Sequence, residues 1–387
     1  MIKYNLSQST WGPEEIEAIN RVVKSGWFTM RKHVREFQEE FARYFGMKYA
    51  VMVNSGSSAN LVAVAALFFR KNNPLKKGDE VIVPCISWAT TYYPLYQYGL
   101  KMKFVDVDLK TLNFDMKELK KAISKDTKMI VAVNVLGNPC QLDEIKKICD
   151  EKGIILFEDN CESMGAKLKG KYSGTYGLVN TFSTFFSHHI STMEGGVVLT
   201  DDLEIYYLLE SIRNHGWTRD QKPDSPIYQR TKDDFFEAYR FILPGYNVRP
   251  GELNGAIGKE QLKKLDGFIK IRRENAKHFV GLFKDDSRFI IQKEIGESSW
   301  FSFTMIVNPE SGLNRPQVLK RLKEVGIDHR IITGGNILRH DVSNYFDKII
   351  TKSTNADIVH DMGYFVGNHP IDLRKDIDYL HKILGTV

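Results

Sequence analysis

Apolar positions along this chain gather into short, nearly continuous runs, and segments with helical spacing separate them. Residues 49–53, 80–84, 102–107, 129–133 and 154–157 read as buried strands. Residues 60–69, 89–98, 116–123 and 143–152 read as the helices between them. Apolar strands that alternate with helices of roughly ten residues imply a mostly parallel sheet covered on both faces. Upstream, residues 10–25 carry a helix-start signature: Thr10 as cap, Pro13 near the first turn, and Glu14 and Glu15 early. An exposed loop from Trp27 to Arg31 follows, then a second helix over 34–45 that closes at Gly46.

The pattern changes character at 181–196. Aromatic and hydroxyl residues alternate up to Phe186, which predicts a buried strand with His188 and His189 at its end. Glu194-Gly195-Gly196 then turns the chain into a second apolar strand over 197–200. Imidazole titrates near neutral pH and can take and give a proton, which suits a site that must do both. The same pair is equally compatible with one ring satisfied by backbone groups and the other solvated. A helix over 203–213, a polar and mobile segment over 220–235, and a helix over 252–265 with small residues at Gly255, Ala256 and Gly258 come next. Further on, an amphipathic helix over 272–283, a strand over 301–306 and a helix over 315–325 read as a smaller α+β domain. The predicted division is a large domain of 1–250 and a small one of 251–387, with 1–33 contributing to the substrate site.

Composition narrows the function classes. At 387 residues, 42% hydrophobic and 26% charged, the chain can bury a substantial core. Its longest apolar run, 61–69, is far shorter than the roughly 20 residues of a membrane span. The start, Met1 to Asn5, lacks the apolar region of a signal peptide, which predicts a cytoplasmic protein with no membrane partner. The net charge of +6 is scattered in pairs such as Lys76-Lys77 and Lys146-Lys147. No basic run is interleaved with aromatics, so nucleic-acid binding is not expected, while a small anionic ligand fits. The four cysteines, Cys85, Cys140, Cys149 and Cys161, lack the close spacing of a metal site, and neither a metal nor a disulfide is expected.

Ligands of open parallel sheets sit beyond the carboxyl ends of the strands. The turn Asn54-Ser55-Gly56-Ser57-Ser58-Ala59, Trp88, Asp159 with Glu162, and His188 all fall there. A strand, a small-residue turn and a helix start offer N–H groups and hydroxyls to a phosphate. A buried Asp at a strand end beside an aromatic suggests a ring cofactor that bears a phosphate and a basic nitrogen. These segments, with Glu158 to Gly165, the 182–196 stretch and Gly245-Tyr246-Asn247-Val248-Arg249, resemble in order the motifs of the sugar aminotransferase family of vitamin-B6 enzymes. The resemblance covers essentially the whole chain. It implies an α/β fold of the aspartate aminotransferase type, with a mostly parallel central sheet, helices on both faces and a smaller α+β C-terminal domain.

By position, the resemblance makes Gly56, Ser57 and Ser183 the phosphate cradle and Trp88 the residue stacked on the pyridine ring. Asp159 would face the pyridinium nitrogen and make the ring an electron sink, and Glu162 would lie near the ring hydroxyl. Asn247 would be lent to a neighbouring subunit's phosphate site, which implies a homodimer with a shared active site. Six residues before Glu194, where the family carries the lysine that bonds the cofactor, stands His188. Imidazole cannot form that bond. The cofactor is therefore expected as pyridoxamine 5'-phosphate, interconverting with pyridoxal 5'-phosphate and bound non-covalently.

A histidine at this place is similar to the sugar 3-dehydratases. The implied reaction removes the C3 hydroxyl of GDP-4-keto-6-deoxy-D-mannose, with L-glutamate as amine donor, ammonia released and His188 as both base and acid. Its implied setting is deoxysugar (colitose) and O-antigen biosynthesis. His189 is assigned a structural role. Phe28, Thr29 and Met30 resemble the loop that meets the nucleotide-sugar; Arg219 would meet the diphosphate, and His215 and Arg330 the glutamate carboxylates or the sugar. Related CDP-sugar dehydratases that use an iron–sulfur centre carry a longer chain and clustered cysteines, which this chain lacks. A nucleotide-sugar 4-aminotransferase and a catalytically silent binding protein of the same fold are the rival readings.

Overall fold

The structure is a computed structural model that describes residues 4–387. Residues 1–3, part of the start inspected above for a signal peptide, lie outside the described residues. The central sheet is built from β1 (Tyr49–Val53), β2 (Glu80–Pro84), β3 (Lys101–Val105), β4 (Thr127–Val133) and β5 (Ile155–Asp159). After the two-stranded hairpin β6 (Lys167–Leu168) and β7 (Lys171–Tyr172) come β8 (Val179–Ser183) and β9 (Gly196–Thr200). A second sheet of four strands uses β10 (Phe289–Ile291), β11 (Ser302–Val307), β12 (His329–Arg330) and β14 (Gly363–Gly367), while β13 (Lys348–Ile350) returns to the edge of the first.

The large sheet has the order β1-β9-β8-β5-β4-β2-β3-β13. β9 runs antiparallel to both of its neighbours, and the remaining pairs are parallel. Helices α1 (Pro13–Ser25), α2 (Lys32–Phe45), α3 (Gly56–Phe69), α4 (Tyr93–Gln97), α5 (Met116–Ala122), α6 (Leu142–Lys152), α7 (Leu203–Ile212) and α8 (Asp234–Glu237) precede a single helix of 32 residues, α9 (Glu252–Phe283). Apolar cores lie on both faces of the sheet: α3 and α7 pack one, while α5 and α6 contribute to the other.

Several sequence expectations are corrected. Thr10 does not cap α1; its hydroxyl bonds Gln261 at 2.7 Å, and Gly12 takes the cap position. The helix after β1 begins at Gly56, four residues earlier than expected, because the Ser55 hydroxyl accepts the Ser58 N–H at 3.0 Å. Residues 89–98 form a 3-10 turn and a short helix. The strand expected to reach Phe186 ends at Ser183, and Phe185 and Phe186 are exposed. The polar segment 220–235 is tied down in part, since Tyr207 donates to Asp224 at 2.8 Å.

Residues 252–283 are one helix, not two. Leu262 and Leu265 pack with α2 and β9, whereas Ala276, Phe279 and Phe283 enter the core of the second sheet. The boundary expected after residue 250 therefore coincides with the first turn of a helix that serves both cores. β13 adds a strand from beyond that boundary to the large sheet. Among the described residues, no helix is long and apolar enough to cross a membrane.

Candidate active site

Parallel topology brings the carboxyl ends of β1, β2, β4, β5 and β8 to one edge of the sheet. At β1, the first turn of α3 points its unpaired N–H groups outward. Among the described residues nothing accepts the N–H groups of Gly56 and Ser57. A Cβ added to Gly56 would stand 2.6 Å from the Ser183 Cβ, so only glycine lets β8 close against this turn. Ser57 donates to the Thr90 hydroxyl at 3.1 Å. Gly56, Ser57 and Ser183 thus come together at one donor-rich corner of the kind that holds a phosphate.

Asp159, buried at the end of β5, accepts three hydrogen bonds. One carboxylate oxygen accepts from Asn60 Nδ2 at 2.9 Å and from the Thr91 hydroxyl at 2.8 Å, and the other from the Cys161 N–H at 3.2 Å. Asn60 in turn accepts the Thr181 hydroxyl at 2.6 Å, which ties α3, β5 and β8 together. Thr91 also shares a hydrogen bond with Ser87 at 2.7 Å, and the turn between them presents Trp88. That indole is 59% exposed, an apolar surface on the turn whose Thr91 bonds the buried carboxylate.

Glu162, on the loop after β5, accepts the Leu136 N–H at 3.0 Å. Burial, reinforced by nearby Asp159, pushes its carboxyl up to about 8, so at neutral pH it carries a proton and can donate to a ring oxygen. His188 is half-buried on the loop between β8 and β9. Its Nδ1 is buried without a partner, and its ring meets the edges or faces of Phe301 at 5.2 Å and Phe185 at 5.9 Å. Burial, with Arg272 adding its positive charge, holds the imidazole down at about 4. His189 is fully buried, and its Nε2 faces the Ser299 carbonyl at 3.3 Å.

A depressed pKa keeps the neutral form present below the ordinary value of 6.5. His369, buried and likewise facing the Arg272 charge, is also held near 4. As the pH of the ligand-free protein falls from about 7.5 to about 5, the ring signals of His188 and His369 are expected to stay at neutral positions. Histidine-labelled NMR checks this; either ring charging near pH 6.5 contradicts the burial described.

The remaining sequence candidates are placed less centrally. Thr29 bridges Gly251, Phe28 is exposed, and Met30 turns inward to pack with the cluster that contains Ile190. Asn247 is exposed and accepts the Arg249 Nε at 3.1 Å. His215, with φ +62°, and Arg219, stacked 5.0 Å over Trp217, are exposed, and neither has a described bond to the cradle. Arg330 lies on β12, where it pairs with Asp328 at 2.9 Å. Sequence reading missed Asn60, Thr91, Thr181 and Phe301. Only Asn60 left a signal, an amide at the head of an otherwise apolar helix.

Residues 10–362 match the DegT/DnrJ/EryC1/StrS aminotransferase family. The chain belongs to this family. Among its relatives, the GDP-4-keto-6-deoxy-D-mannose 3-dehydratase of Escherichia coli O55:H7 is 53% identical over 99% of this chain and 100% of its own. A solved structure of the E. coli enzyme of that name with bound hydrated PLP superposes with a TM-score of 0.98, at 53% identity over 99% of this chain and 100% of that one. A second, a GDP-4-keto-6-deoxymannose-3-dehydratase with a trapped PLP-glutamate geminal diamine, gives 0.97 at 52% identity over the same shares.

The residues present fit that cofactor: a tight corner with free N–H groups for the phosphate, an exposed indole for the ring face and a buried carboxylate for a basic nitrogen. Gly56→Ala is expected to weaken pyridoxamine phosphate binding by about 10- to 100-fold, because the new methyl would force Ser183 aside. Titration followed by Trp88 fluorescence measures it, and unchanged affinity would place the phosphate elsewhere.

Proposed function

We propose that this family member is a nucleotide-sugar 3-dehydratase that works with pyridoxamine 5'-phosphate and pyridoxal 5'-phosphate without a covalent tether. It converts GDP-4-keto-6-deoxy-D-mannose to GDP-4-keto-3,6-dideoxy-D-mannose, while L-glutamate becomes 2-oxoglutarate and ammonia is released. The observation that carries the reading is His188, an imidazole at the place where the family's transaminases carry an amine, beside an otherwise complete cofactor site.

When bound, the cofactor supplies the amine that meets the C4 ketone and a conjugated ring that takes up electrons. Gly56, Ser57 and Ser183 hold its phosphate, Trp88 covers its ring, Asp159 charge-pairs its ring nitrogen, and neutral Glu162 donates to its hydroxyl. His188, neutral in the resting protein, is a ready base. The proton it takes can be returned, on the same face, to the departing C3 oxygen, which leaves as water. The half-buried setting limits exchange of that proton with solvent. His189, facing the Ser299 carbonyl, anchors the loop.

The reading includes a homodimer in which exposed Asn247 completes the partner's phosphate site. In the same reading Phe28, Thr29 and Met30 meet the nucleotide-sugar, Arg219 its diphosphate, and His215 and Arg330 the glutamate or sugar; the protein is cytoplasmic.

The test mixes enzyme, cofactor, L-glutamate and the GDP-linked 4-keto sugar. A dideoxy ketone with one 2-oxoglutarate per turnover is expected. An amino sugar that keeps its C3 oxygen would make the chain a 4-aminotransferase. No glutamate-dependent change in the cofactor spectrum would make it a silent binding protein.

A further inference from the structure

A general base on a flexible loop is ordinarily aimed by a hydrogen bond from its second ring nitrogen to a carboxylate or carbonyl. His188 has none: Nδ1 is buried and unpartnered, and among the described residues neither ring nitrogen makes a hydrogen bond. What the ring does have is two aromatic walls. Phe301 meets it at 5.2 Å and 75°, and Phe185 at 5.9 Å and 85°. Phe185 is exposed and sits on the same loop, so it moves with His188.

Phe301 belongs to a different part of the chain and is fixed from both sides of its backbone. Its N–H donates to the Leu136 carbonyl at 3.2 Å, and its carbonyl accepts from Arg272 Nη1 at 3.0 Å. The preceding residues lie on Gly137: Ser299 N–H and Ser298 Oγ each donate to its carbonyl at 2.8 Å. A Cβ on Gly137 would stand 2.5 Å from Trp300 N and 2.6 Å from Phe301 N, and Gly137 has φ +98°, so the approach requires glycine. Trp300 itself takes φ +47°, a left-handed turn that aims the next side chain back toward the loop. Leu136, whose carbonyl receives Phe301, donates its own N–H to Glu162. One rigid corner thus supports both the carboxyl read as facing the cofactor hydroxyl and the imidazole read as the base.

We propose that Phe301, clamped between Arg272 and Leu136, is the positioning residue of His188, and that edge-to-face packing replaces the usual carboxylate in aiming the imidazole. Arg272 suits the clamp because it is buried, bonds the Phe301 and Asn368 carbonyls, and has no carboxylate partner among the described residues. The charge so placed beside the ring favours the neutral imidazole. The proposal rests on the reading of His188 as the acid–base group.

Cofactor-loaded, full-length Phe301→Leu is expected to lose about 10- to 100-fold in kcat while KM for the GDP-sugar stays within about twofold. Phe301→Tyr, which keeps the ring, is expected to restore kcat to within about twofold. In ring-labelled histidine NMR spectra, the His188 signal, assigned by its loss in His188→Asn, should lose its ring-current shift in the leucine variant and keep it in the tyrosine variant. A leucine variant with wild-type kcat, or one that loses kcat while the His188 signal stays in place, overturns the proposal. Should Phe301→Leu fail to fold, Phe301→Met, which keeps the volume, is read by the same two criteria. If His188→Asn retains dehydration, the acid–base reading fails instead, a result distinguishable from either outcome above.

Discussion

His188→Asn is expected to abolish loss of the C3 oxygen, by about 10⁴-fold or more, while leaving cofactor affinity within about twofold. The size follows from the double duty assigned to one ring. A positioned acid or base contributes roughly 10²–10⁴-fold, and here the same imidazole takes a proton and delivers one to the leaving oxygen. Asparagine matches the imidazole in polarity but cannot be protonated, so both steps lose their carrier. Binding is spared because no cradle residue bonds His188: its ring packs on Phe301 and Phe185, and its backbone N–H donates to the Phe185 carbonyl at 2.9 Å. The pH profile makes the same point. With the imidazole held at about 4, wild-type kcat/KM should show no histidine limb above about pH 5. Deuterium incorporation at C3 in D₂O, read by mass spectrometry of the product, follows the lost step directly. Dehydration within tenfold of wild type in the asparagine variant would remove His188 from the chemistry.

How far the sequence could lead depended on the range of the forces involved. The strand–helix alternation from β1 to β5 was legible because each buried parallel strand is apolar along its length and each covering helix carries its own period. β13 was not, since Lys348-Ile349-Ile350 joins β3 through pairing with residues some 250 positions away that no local pattern announces. The continuity of α9 was hidden in a similar way. At Gly267 the helix is exposed with open space around it, and the sequence there reads as a break between two amphipathic helices. Packing at either end, on α2 and on the second sheet, carries the helix through.

The same distinction divides the candidate site. Gly56, Asp159 and Glu162 sit in motifs whose local chemistry is conspicuous. Thr91 meets Asp159, and Phe301 meets His188, only across long stretches of chain, and a threonine in a turn or a phenylalanine before a strand is unremarkable by itself. His188 was legible by its identity, but the strand it was assigned to ends at Ser183, and its ring's lack of a hydrogen-bond partner among the described residues emerges only in three dimensions.

Asp159→Asn is the second large effect: kcat should fall by about 10²–10³-fold, the loss typical when one electrostatic stabiliser is removed from a dry site. Two causes act together. The substitution removes the negative charge read as opposing the ring nitrogen, and with it the pull that lets the ring accept electrons. It also disturbs a site built from donors only, in which Asn60 Nδ2, the Thr91 hydroxyl and the Cys161 N–H all point at carboxylate oxygens. An asparagine must turn its NH₂ toward one of these sets. Turned toward Cys161, it leaves that N–H facing a donor; turned the other way, it meets the Asn60 amide, and only the Thr91 hydroxyl can rotate to accept. One buried donor is left unsatisfied in either orientation, a cost of about 1–3 kcal/mol to the folded protein. The two causes separate in Thr91→Val, which keeps the charge but removes one donor: it should show a smaller stability loss and retain most of the turnover. Single-turnover absorbance traces with L-glutamate, alongside thermal unfolding of the same samples, measure both quantities. An asparagine variant that reacts within threefold of wild type would mean that the carboxylate serves the fold alone, and the basic ring nitrogen would have to be sought against another residue.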